Sequence, residues 1–157
     1  MGRFYTVSFS GVAVAAAVDA FEVLAATGKP FILHEILLAQ ESDYGDAQAE
    51  GLRVLVKRAT GSYTSGSGGG TATPAKHMTN DAAAGPTVET NNTTPAAAGS
   101  GALTTIRVEA WNIQGGYQYL PTPEQRITFL AAEACVVSIT APADSITLSG
   151  SLVFEEL

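Results

Sequence analysis

Residues 104–128 read TTIRVEAWNIQGGYQYLPTPEQRIT, and the parsing of this stretch decides the fold. Ile106, Val108 and Ala110 share one face while Arg107, Glu109 and the only tryptophan, Trp111, share the other, which is the two-residue period of an extended strand. Gly115 and Gly116 interrupt the pattern, Tyr117, Tyr119 and Leu120 resume it, and Pro121 and Pro123 end it before a new alternating run opens at Arg126. Strand, glycine kink, strand and proline-anchored corner belong to an all-β domain.

The same period recurs on both sides. Tyr5, Val7 and Phe9 alternate with polar neighbours, and Gly11 marks the end of that strand or a bulge in it. Residues 12–26 fit two patterns. Val14, Ala17, Val18, Phe21, Leu24 and Ala25 also fall at helical spacing, with Ser10 as a possible N-cap and Gly28 beyond the end. Strand is the reading taken, because the flanking runs are strands and GKP at 28–30 suits a hairpin turn. FILHEILLAQ at 31–40 is apolar on both faces, and residues 52–59 alternate again. Further strands are expected at 126–130, at 134–141 and at 145–155, the last with Ile146, Leu148, Leu152 and Phe154 on one face. About eight strands joined by turn-rich loops predict an antiparallel β-sandwich, jelly-roll-like, over residues 1–157 as a single domain.

Residues 61–101 break the pattern. They are rich in Gly, Ala, Ser, Thr and Pro, carry only Lys76, Asp81 and Glu89 as charges, and offer Tyr63, Met78 and Val88 as large apolar groups. So long a loop is uncommon inside a compact domain. The expectation is an extended arm with at most a short strand near 86–89, which gains order by lying against a neighbouring subunit.

The formal net charge of −7, without a Lys/Arg cluster, opposes nucleic-acid binding. No run approaches the apolar length of a spanning helix, and MGRFYTVSFSG does not resemble a signal peptide, so no membrane partner is expected. Cys135 reads as a core residue, and His34, without a nearby partner in sequence, as a structural one. Asp43, Asp46 and Glu50 lie in an acidic loop that lacks calcium-loop spacing, and Gly68, Gly69 and Gly70 match no phosphate-binding pattern. Two histidines, one cysteine and scattered carboxylates form no nucleophile–base pair or zinc-ligand spacing. No catalysis and no cofactor or metal are expected.

Several strings carry a family resemblance: RFYTVSFSGVAV at 3–14, DAFEV at 19–23, KPFILHEILLAQESDYGD at 29–46, VETNNTT at 88–94, GGYQYLPTPEQR at 115–126 and APADSITLSGSLVFEE at 141–156. The chain resembles small β-rich virion proteins of tailed phages and prophages, which accompany the capsid as decoration or auxiliary head proteins. The resemblance implies self-assembly into a homo-oligomer such as a trimer, the major capsid protein as partner, and a place in the virion after synthesis in the host cytoplasm. The alternative is a carbohydrate- or host-surface-binding module, since jelly rolls also carry ligands. Trp111, Tyr117, Tyr119, Tyr63, Met78 and Val88 are the candidate interface residues, because aromatic and large apolar groups dominate contact energetics.

Overall fold

β-branched and aromatic residues at every second position pack well on a pleated surface, and they form strands along most of this chain. The computed structural model describes residues 2–41 and 50–157. Its strands are β1 (Arg3–Val14), β2 (Val18–Leu24), β3 (Phe31–Gln40), β4 (Gly51–Thr60), β5 (Gly70–Ala72), β6 (Ala75–Lys76), β7 (Thr87–Asn92), β8 (Ala102–Asn112), β9 (Tyr117–Tyr119), β10 (Ile127–Phe129), β11 (Ala134–Ile139) and β12 (Ile146–Glu156). A single 3-10 turn at Pro123–Gln125 forms the proline corner.

One sheet runs β10-β3-β12-β1-β6, with β9 also pairing with β3, and the other runs β5-β7-β2-β11-β4-β8. All named pairings are antiparallel. With β5, β6 and β7 set aside, β9/β10-β3-β12-β1 faces β2-β11-β4-β8, the paired four-stranded sheets of a jelly roll. The chain crosses between sheets at each step from β1 to β4, so neither sheet can form without the other. Tyr5, Phe31, Leu33, Ile36 and Phe154 from one sheet and Phe21, Val23, Val54 and Val137 from the other share a single buried core. Phe154 sits at its centre, 5.5 Å from the rings of both Tyr5 and Phe31.

Three local readings gain detail from the coordinates. Residues 12–26 are strand on both sides of a short connection, and Gly11 is a bulge inside β1: its φ of +65° suits a residue without Cβ, and the register with β12 shifts between Phe9 and Val12. In β3 a second bulge intervenes, since Val153 pairs with Glu35 while Phe154 pairs with Leu33, leaving His34 as the extra residue. The extra residue reverses the faces, so Phe31 and Leu33 point inward on one side of it and Ile36 and Leu38 on the other. The run is apolar on both faces because its one buried face changes parity at His34.

The third concerns residues 61–101, which pair with strands of their own chain. After β4 they cross the outer face of the second sheet, add β5 and β7 beyond β2, touch the first sheet through β6, and return across the same outer face to β8. The outgoing and returning legs bridge at Thr64–Ala97 and Ser67–Thr94. Glycine permits this closeness: a Cβ on Gly69 would lie 2.2 Å from the Thr90 carbonyl oxygen. Of the acidic loop, Asp43 and Asp46 lie outside the described residues, and Glu50 accepts the Ala143 N–H at 2.7 Å.

Phe154→Ala should cost about 3–5 kcal/mol in urea unfolding, because it opens a hole between two rings that cannot both collapse into it. Leu120→Ala, at a position 66% exposed, should stay within about 0.5 kcal/mol of the parent.

Candidate functional site

The most organised polar arrangement lies on the outer face of the second sheet, under the ribbon formed by the two legs of the excursion. β2 is apolar except for Asp19 and Glu22, which are 0% and 3% exposed. Phe21 pairs with Val137 while Asp19 pairs with Ser138, so Ala20 is an extra residue. That bulge turns Asp19 to the same face as Glu22, although the two are three positions apart. Both side chains are buried. Each is met by groups from the ribbon.

Glu22 Oε1 accepts the Tyr63 hydroxyl at 2.8 Å and the Ser65 hydroxyl at 2.6 Å. Its Oε2 accepts the Gly66 N–H at 3.0 Å and the Asn92 amide at 3.2 Å. Four donors on one carboxylate match its acceptor capacity and offset the cost of removing it from water. Asp19 Oδ2 accepts the Ala96 N–H at 2.6 Å and Oδ1 the Ser138 hydroxyl at 2.5 Å. Burial raises the Asp19 pKa, against the opposing pull of those two hydrogen bonds. The Tyr63 phenol is likewise pushed up by burial and by its bond to Glu22. Beside the polar contacts, Ala59, Ala96, Ala134 and Val136 form a second small apolar cluster with Leu24, Tyr63 and Leu103 packed on it.

A recess of about 320 Å³ opens beside this arrangement, lined by Glu22, Leu24, Tyr63, Ser65, Thr87 and Glu89. Glu22 and Glu89 are directly opposite across β2 and β7, a like-charged pair that Asn92 bridges by donating to both, at 2.9 Å to Glu89. Chemically the arrangement is a clamp: the donors around Glu22 hold the ribbon down. Among the described residues no group of three or more His, Cys, Asp or Glu is placed to hold a metal ion.

Both histidines lie at the other sheet, on either side of Phe4. His34 contacts Glu155 at 2.9 Å and meets Phe4 edge-on at 4.8 Å, and His77 contacts the Thr6 hydroxyl at 2.6 Å and stacks on Phe4 at 6.1 Å. The bulge in β3 thus supplies His34 with the partner that sequence neighbours do not. Cys135 is buried, and burial pushes its thiol pKa up.

The interface candidates are dispersed. Trp111 is buried at the corner between β8 and β9, where its indole N–H donates to the Gly115 carbonyl at 2.5 Å and fixes the glycine kink. Tyr117 and Tyr119 are buried on β9, their phenol pKa values raised first by that burial, and the Arg107 guanidinium stacks 4.9 Å from the Tyr119 ring centre. Val88 lies in the main core, Tyr63 is half-buried against Glu22, and Met78 is 65% exposed after β6. Asp19, Glu22 and Asn92 were missed. Their one signal was two acids inside the apolar run VDAFEVL, which a half-exposed strand would explain equally well.

Comparison of the chain with protein-family models, with curated proteins and with solved structures finds no match.

Glu22→Ala should leave four donors without their acceptor and cost about 3–5 kcal/mol, with faster proteolysis within residues 61–101 as the direct readout. Asp19 carries a defined sign. Its folded pKa is raised above the ordinary value of 3.8, so the folded state holds its proton more tightly and stability falls as pH rises through that window. Asp19→Asn, which still accepts from Ala96 and can donate to Ser138, should therefore gain on the parent as pH rises above the ordinary carboxylate value in parallel denaturant titrations; a constant difference would refute this.

Proposed function

We propose that this protein is a structural component of a tailed phage or phage-like particle, a capsid decoration protein that associates with itself and docks on the major capsid protein. The observation that carries the reading is where apolar surface remains. Met78, Val108, Leu120 and Leu130 are 55–66% exposed, and they project from turns and from an edge strand of a body whose core is otherwise closed. A docking contact on this body would draw on these groups for its apolar area. The sequence resemblance to phage virion proteins supplies the kind of partner.

The ribbon changes the mechanism. An arm that wraps a neighbour would have to release Glu22 and Asp19 from their donors, leaving buried carboxylates unpaired. Docking through the preformed body avoids that cost and needs little ordering on contact. Bracing is then mechanical and non-catalytic. A sugar-binding role would use exposed aromatic faces, whereas Trp111, Tyr117 and Tyr119 are buried.

The test is co-sedimentation of the purified protein with matching capsids stripped of their outer proteins. Saturable binding that raises the temperature at which the capsids open is the expected result. Absence of binding, or binding without any change in that temperature, would count against a bracing role.

A further inference from the structure

β8 is an eleven-residue strand at the margin of its sheet, paired with β4 on one side. Among the described residues no strand lies on its other side. A long edge offers unpaired N–H and C=O groups to another chain unless something blunts it. On its outer face β8 carries Thr105, Ile106, Val108 and Ala110, none charged, with Ile106 39% and Val108 55% exposed. On its inner side stand Arg107 and Glu109, which pair with each other at 2.5 Å, their side chains 39% and 32% exposed. A bulge at Ile106 separates two regular stretches, because Val56 pairs with Arg107 but Lys57 with Thr105.

Inward charges and a bulge ordinarily discourage edge pairing. Here the charges have opposite sign and stand two residues apart, so they discriminate between registers. Two antiparallel copies that form one continuous sheet keep their inner faces on the same side, so residues directly opposite have the same parity. Centred on residue 107, Arg107 meets itself, and centred on 109, Glu109 meets itself. Centred on 108, Arg107 lies opposite the second copy's Glu109 at two symmetric places, and Val108 meets Val108 on the outer face. Arg107, bonded through Nε and one terminal nitrogen to its own Glu109 and stacked on Tyr119, would then stand between two carboxylates, its own and that of the second copy.

We infer that the free edge of β8 is a self-association site at which a second copy of this chain adds its own β8 antiparallel, in the register centred on Val108. The contact is isologous and closes on itself as a two-fold pair. It deepens the self-association part of the proposed function, yet it needs no capsid.

The experiment uses the purified full chain alone in analytical ultracentrifugation over a range of concentrations, so a failure of capsid docking leaves its result intact. The parent should reach a species of twice the 16.1 kDa of one chain as concentration rises. Arg107→Glu and Glu109→Arg each place like charges opposite across the axis and should weaken association about tenfold or more, with unchanged circular dichroism. An equimolar mixture of these two variants should recover the dimer, because unlike charges then face each other in the mixed pair. The internal Arg107–Glu109 pair is lost in both variants, so its restoration cannot explain recovery. Val108→Lys should also give monomer. A parent that stays monomeric at every concentration, a closed species of another size, or a mixture that behaves like its components would overturn the inference.

Discussion

The carboxylate of Glu22 is the contact on which the unusual part of this structure depends. A jelly roll needs only its two sheets to close a core, and the outer face of each is normally left to water. Here that face is occupied, because a buried acid on β2 can be satisfied only by donors brought over it. Tyr63, Ser65 and the Gly66 amide arrive on the outgoing leg, and Asn92 arrives on β7. Asp19 repeats the arrangement one bulge away, where it captures the Ala96 amide of the returning leg. Two acids thus hold a segment whose composition alone would leave it loose.

The jelly-roll strands were legible because each buries one face, and burial writes a period of two into the sequence. Ile146, Leu148, Leu152 and Phe154 face inward along β12, and Ile127 and Phe129 do so along β10. The ambiguity at residues 12–26 has a physical origin too: Val18 and Phe21 both face the core across the bulge at Ala20, so the apolar spacing there imitates a helix. In β3 one extra residue at His34 blurs two clean alternations into a run that is apolar on both sides. Bulges are invisible to a pattern that counts by twos.

The excursion was illegible for a different reason. Glycine serves both a chain that moves and a chain pressed against a backbone, and composition does not separate the two uses. Gly66 and Gly69 belong to the second kind, since side chains there would strike Asn92 or the Thr90 carbonyl. Trp111, Tyr117 and Tyr119 cluster in sequence as contact anchors do, but they cluster because a corner between two sheets needs large rings to fill it.

The excursion also extends both sheets at the same lateral margin: β7 and then β5 lie beyond β2, and β6 lies alongside β1. One continuous piece of chain therefore stitches the two leaves of the sandwich together where they would otherwise part first. That margin is closed by backbone pairing, whereas at the opposite one β8 meets β9 through side chains such as Arg107 on Tyr119. For anyone wishing to graft a foreign peptide into this scaffold, the glycine tract that looks like the most forgiving place to cut is the seam itself.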